Sequence, residues 1–162
     1  MKFFLILFSV FGLLQFCWAN DLGKESIGRM EVHVYYATNG DPGLAGSKAK
    51  KVEAEVVEQL SSLRDKKYTS YLLLGSDRQP VFRSYENWLA PLKPSEELLI
   101  SFEPRGAAQG EMLKLDLELW QSKKKIMKAG PTLQKGKPLY IFGPKWRDGR
   151  LILSIQLVEL IQ

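Results

Sequence analysis

Leu113, Leu115, Leu117 and Leu119 alternate without a break with Lys114, Asp116, Glu118 and Trp120. Successive side chains of an extended strand point to opposite sides, whereas a helix would spread those four leucines around its axis. The stretch therefore reads as a strand with one buried and one wet face, the pattern of an antiparallel sheet. The same period returns in Met30, Val32 and Val34, in Leu98, Ile100 and Phe102, and in Leu151, Leu153, Ile155 and Leu157. Turn-forming clusters separate these runs: "TNGDPG", "RGAAQG", "QSKKK", "KGK" and the Asp148-Gly149 pair. Turns this closely spaced favour a meander or sandwich over βαβ units. The expected fold is predominantly antiparallel β with one α-helix (α+β), a β-sandwich or meander of about six to eight strands with the helix packed on it.

The helix is expected from near Ser47 to Arg64, because Ala49, Val52, Val56, Leu60 and Leu63 recur at three- and four-residue steps. "YTSYLLLGSD" follows. As a strand it places Tyr68, Ser70, Leu72 and Leu74 on one face and Thr69, Tyr71 and Leu73 on the other. Both faces are largely apolar, which predicts cover on both sides and makes the tyrosines structural rather than a ligand platform. Beyond Gly75 the pattern weakens. Pro80, Pro91 and Pro94 confine strand to short pieces, around Pro80–Arg83 and Asn87–Leu92.

The chain begins with Lys2, the apolar run "FFLILFSVFGLL" and then "CWAN". Ala19, with Cys17 two positions before it, fits the small-x-small cleavage rule. Residues 1–19 are thus read as a signal peptide cut before Asn20, residues 20–28 as a flexible leader, and 29–162 as a single β-rich domain. The run is short of the roughly 20 apolar residues of a transmembrane helix, so no stable membrane span is expected after cleavage. Cys17 is the single cysteine. Its loss with the leader excludes disulfides, thiolate nucleophiles and cysteine metal sites. The expected location is exported, periplasmic or secreted.

Chemistry is sparse. His33 is the single histidine, which rules out a multi-histidine metal site; Glu31 lies on the same strand face. Ser122–Lys125 spells S-x-x-K but falls in a predicted hairpin turn, without the companion motifs of serine–lysine hydrolases. "GPTLQKGKP" misses the spacing of a phosphate loop and ends in Pro138 where Ser or Thr is required. Asp116 and Glu118 share a strand face and could serve a cell-wall hydrolase if one were desolvated. Neighbouring carboxylates on a polar face are ordinarily solvated, so no catalytic residue, metal or cofactor is expected.

Two basic turns remain. Lys123, Lys124 and Lys125, with Lys128, surround one; Lys145, Trp146, Arg147 and Arg150 surround the other. At the same end of the fold they would form a basic tip, its cations meeting anions and Trp146 stacking on a sugar ring. The net charge of +5 is otherwise interspersed with acids. The expected partner is an envelope protein or an anionic polymer, not nucleic acid, which export disfavours.

"DPGLAG", "YTSYLLL", "ISFEPRG" and the closing "IFGPKWRDGRLILSIQL" resemble a loose group of small exported bacterial proteins of unassigned activity. That group has an Asp-Pro-x-Leu helix start, a Tyr-Ser-Ser-Tyr-like strand and a β meander with a terminal Gly-Pro turn. The resemblance runs from Asp41 to Leu157, departs at Gly43 and in the longer "AGSKAKKVEAE" lead-in, and implies the fold but no functional residue. The expected function is a non-catalytic exported accessory or binding domain of the bacterial cell envelope. The alternatives are a polyanion or glycan binder acting through the basic turns, or a cell-wall hydrolase.

Overall fold

The alternating segments pair into two antiparallel sheets. The computed structural model describes residues 21–63, 68–93, 95 and 97–161; the predicted signal peptide lies outside them. In chain order the elements are β1 (Ser26–Thr38), β2 (Lys50–Lys51), α1 (Ala54–Ser62), β3 (Ser70–Phe82), β4 (Asn87–Leu89) and β5 (Leu98–Pro104). Then come β6 (Met112–Gln121), β7 (Lys124–Ala129), β8 (Thr132–Gln134), β9 (Leu139–Trp146) and β10 (Gly149–Leu160). The first sheet has the order β2-β3-β1-β10-β9; the second has β4-β5-β6-β7, with β8 also paired to β6. The fold class is as expected. The strands outnumber the expectation in part because β2 and β8 are two and three residues long, too short to show a period, while β4 falls within the piece expected around Asn87–Leu92.

The alternating residues meet between the sheets. Met30, Val32 and Val34 of β1 and Leu151, Leu153, Ile155 and Leu157 of β10 pack against Ile100 and Phe102 of β5 and the four leucines of β6. A second cluster lies on the other side of the first sheet, where Leu60 of α1 covers Tyr35, Ala37, Tyr71 and Ile152. The order of layers is therefore helix, sheet, sheet, and the first sheet is apolar on both faces. Burying each of these side chains contributes about 1.5–3 kcal/mol before the entropy of ordering is set against it.

Three boundaries differ from the sequence reading, each for a visible reason. First, β1 starts at Ser26, inside the segment read as leader. Gly28 is a contact residue there rather than a flexible joint, since a β-carbon on it would lie 2.5 Å from Glu159 O. Second, the helix is shorter than Ser47–Arg64, because Lys50 and Lys51 pair with Leu73 and Leu72 instead of turning. Third, β3 continues through Gly75 and Pro80 to Phe82. Pro80 is tolerated because β2 covers β3 only at Leu72 and Leu73, so the rest of β3 is an edge and needs no outward donor. A bulge beside Val34 and Tyr35 skips Leu74, which packs in the intersheet core while Tyr71 and Leu73 serve the helix side.

A buried carboxylate joins the two sheets. Asp77 of β3 accepts from Ala90 N at 2.8 Å, Arg78 N at 3.0 Å, Lys93 Nζ at 3.1 Å and Gln79 Nε2 at 3.2 Å. Burial alone would raise its pKa, but these donors outweigh burial and hold the carboxyl below its ordinary range. Close by, a β-carbon on Gly75 would fall 2.1 Å from Pro91 O, so only glycine allows the backbones to approach there. Among the described residues no helix is long and apolar enough to cross a membrane.

Candidate functional site

The β9–β10 hairpin turns through Arg147 and Asp148, with Trp146 paired to Gly149. Arg147 has φ of +53°, in the left-handed region. The turn is tied to the end of β1 by its own acid: Tyr36 Oη donates to Asp148 Oδ1, and Thr38 Oγ1 donates to the same oxygen at 3.3 Å. Tyr36 is fully buried; burial first, and the Asp148 bond second, raise its pKa. Gly149 is required by the same junction, because a β-carbon on it would meet Ala37 O at 2.4 Å. A two-against-one irregularity between Phe142 and Lys145, opposite Ile152 and Arg150, turns the end of β9.

This anchoring shapes a cleft of about 570 Å³ lined by Asn39, Tyr68, Phe142, Lys145, Arg147, Asp148, Gly149 and Arg150. Among the described residues no carboxylate lies within ion-pair distance of Lys145, Arg147 or Arg150. The one acid in the wall, Asp148, is engaged by Tyr36 and Thr38. Asn39 accepts from Thr69 N at 2.8 Å through Oδ1, which leaves its amide hydrogens for an anion. Three cations beside a concave, partly aromatic wall are equipped to hold a phosphate, sulfate or carboxylate group.

Four of the residues expected at the second basic turn are thus together, but their roles differ. Lys145, Arg147 and Arg150 line the cleft, whereas Trp146 packs on the intersheet core and meets Tyr36 edge-on at 5.3 Å. The Arg147 guanidinium lies 4.1 Å from the Trp146 ring centre, so the indole positions the cation. Tyr71 is buried under the helix as expected of the tyrosine pair. Tyr68 is only half-buried and forms the rim of the cleft, standing edge-on to Tyr71 at 6.2 Å.

The other basic turn is built differently. Ser122 and Lys123, at φ of +47° and +65°, make the two-residue β6–β7 hairpin. Lys135 N bonds Glu111 O at 2.8 Å and Gly136 N bonds Leu157 O at 2.9 Å, which sets the start of β6 beside the end of β10. Asp77 and Gly75 set the segment after β4 beside the middle of β3. Between those two anchors β6 runs from beside the end of β10 to the row of β5 and β4 that lies beside the middle of β3. Lys123, Lys124 and Lys125 are exposed and do not line the cleft. Lys125 pairs with Glu118 at 2.9 Å, and Lys128 with Glu118 at 3.3 Å.

The paired carboxylates of β6 are held as anions. Asp116 is lowered chiefly by its bond from Arg105, and Glu118 chiefly by its bond from Lys125. A glycosidase acid needs the opposite shift. His33 is half-buried, 3.9 Å from Glu31 and stacked on Tyr35 at 6.2 Å. A second concavity, of about 610 Å³, opens at the far end near Ile27, Pro104 and Ile161; its Arg83 is already paired with Glu25 at 2.7 Å. Comparison of the chain with family models, with curated proteins and with solved structures gives no match.

Proposed function

We propose that this chain is a non-catalytic, exported binding domain of the bacterial cell envelope, and that it holds an anionic group of its partner in the cleft at the β9–β10 turn. The observation that carries this reading is the convergence of Lys145, Arg147 and Arg150 on one concavity whose single acid is occupied by Tyr36 and Thr38. Three cations against one carboxylate leave the cleft net positive, which favours an incoming anion, and the cost of bringing the cations together is met by the fold and not by the binding step. The apolar run from Phe3 to Leu14, followed by a small-x-small site at Ala19, supports export. Two of the segments that resemble the small exported bacterial proteins, "YTSYLLL" and "IFGPKWRDGR", contribute Tyr68, Phe142, Lys145 and Arg147 to Arg150 to the cleft wall. An anionic envelope polymer suits an exposed basic cleft, and an acidic envelope protein would present the same carboxylate chemistry.

Amide chemical shifts followed while inorganic pyrophosphate is titrated into the protein test the site. Shifts should concentrate at Asn39, Tyr68 and the backbone from Lys145 to Arg150. Shifts spread evenly over surface lysines, or none at these positions, would refute the assignment.

A further inference from the structure

The outer face of the second sheet is not covered as the first sheet is. Among the described residues, the helix packs on the first sheet only. On that open face Trp88 of β4 pairs across to Ser101 of β5, which pairs to Glu118 of β6. One row along, Leu99 pairs to Trp120, which pairs to Lys125 of β7. The two indoles are therefore diagonal neighbours, with ring centres 5.9 Å apart and planes inclined at 53°. Trp88 is 41% exposed and presents its ring to solvent on this face.

The polar groups around the pair are already ordered. Trp120 Nε1 donates to Glu118 Oε2 at 3.2 Å, Lys125 sits 5.3 Å from the Trp120 ring centre, and Ser101 Oγ donates to Glu86. Lys125 and Lys128 pair with Glu118, and Arg105 with Asp116. The charges of the face thus answer one another and leave no strong field for a polyanion. The π face of Trp88 stays open beside these fixed donors and acceptors, while Lys125 lies over the half-buried Trp120 ring.

We infer that this face is a carbohydrate platform, on which Trp88, backed by Trp120, stacks against a ring of a neutral sugar chain while Glu118 and Lys125 take its hydroxyls. The C–H face of a pyranose is weakly positive and matches the negative face of an indole. A carboxylate and an ammonium held in place beside the rings fix hydroxyl orientation without demanding net charge from the ligand. A protein partner fits less well: a stable interface needs about 800 Å² per side with an apolar centre, and here lysines and carboxylates crowd directly against the two rings. The platform lies on a different sheet from the anion cleft and does not depend on it.

Intrinsic tryptophan fluorescence during titration with cellotetraose and chitotetraose tests the inference. At least one should bind at millimolar concentration or below. Trp88→Ala should weaken that binding by roughly tenfold or more, Trp88→Phe should retain most of it, and Arg147→Ala should leave it unchanged. Raising the salt should change the affinity little, since no ion pair forms with the ligand. The inference fails if neither tetrasaccharide alters the fluorescence, or if Trp88→Ala binds like the wild type. It also fails if sedimentation shows a self-association that Trp88→Ala abolishes, for the face would then be a protein interface.

Discussion

Replacing Asp77 with Ala removes the clip between the sheets, and its cost can be worked bond by bond. The Ala90 amide loses its 2.8 Å acceptor in a partly buried position, which costs about 1–3 kcal/mol for an unpaired donor. The Lys93 ammonium is 64% exposed, so water screens the lost pair and its share stays below about 1 kcal/mol. The Arg78 amide belongs to an exposed residue and can turn to solvent, so little is added there. The expected destabilisation is about 2–3 kcal/mol, within the roughly 5–15 kcal/mol of a typical domain, so the variant should still fold. Asp77→Asn keeps an acceptor for Ala90 and should lose about 1 kcal/mol. The charge adds a pH signature. The folded carboxyl titrates below the ordinary value of 3.8, so the unfolded chain binds the proton first as the solution is acidified. Its contribution is fully present above that value and is lost as the pH falls through the folded pKa. Urea unfolding of the wild type and both variants, at neutral pH and at stepwise lower pH, measures both effects. An Asp77→Ala variant within about 0.5 kcal/mol of wild type, or a gap between Asp77→Asn and wild type that does not narrow in acid, would refute the reasoning.

Two further outcomes follow from the same structure. Tyr35 is buried under the helix and its pKa is pushed up to about 12, by burial first and then by Tyr140 and Glu31. The folded state keeps this proton longer than the unfolded chain, so stability present below pH 10 should fall by up to about 2.7 kcal/mol as the pH rises to 12. In Tyr35→Phe that share of the alkaline limb should vanish, as read by unfolding with parallel tyrosinate absorbance. In the β6–β7 turn, Ser122 and Lys123 both hold left-handed backbone, the conformation that Asn-Gly adopts with least strain. The Ser122→Asn, Lys123→Gly double variant should raise stability by about 1 kcal/mol in thermal or chemical unfolding, and a loss of stability would contradict the turn geometry.

The parts of the fold visible in the sequence are those where one residue type repeats against one environment. The leucines of β6 and the alternation in β1, β5 and β10 mark the intersheet core directly. The apolar character of both faces of the Tyr68–Leu74 stretch announces a layer on each side, and the helix and second sheet supply them. The end of β3 was hidden because its pairing with β1 satisfies backbone, not side-chain pattern; Gly75, Asp77 and Pro80 look like turn residues until Pro91, Ala90 and an open edge explain them. The helix start was hidden because Lys50 and Lys51 suit either a helix or a ladder, and the neighbouring strand decides.

The site was legible to a similar depth. The cluster of Lys145, Arg147 and Arg150 is visible as spacing in the sequence. The anchoring of Asp148 depends on Tyr36, more than a hundred residues away, and no local pattern carries that. Trp146 reads in the sequence as an aromatic between cations, yet its place is set by Tyr36 and the core. Trp88 and Trp120 stand far apart in the chain and become neighbours only through the β4-β5-β6 register. Their alternation with inward leucines was the signal that could have found them: Trp120 follows Leu119 on the wet face of β6, and Trp88 stands between buried Asn87 and Leu89.

The proposed function requires that Lys145, Arg147 and Arg150 hold an anion as a group. The most direct measurement is the affinity of the protein for inorganic polyphosphate over a series of salt concentrations, for the wild type and for the Arg147→Ala, Arg150→Ala double variant. Binding should weaken linearly in a plot of log affinity against log salt, and the double variant should bind more weakly, with a slope shallower by about one to two. Affinity indifferent to salt, or a double variant with the wild-type affinity and slope, would contradict it.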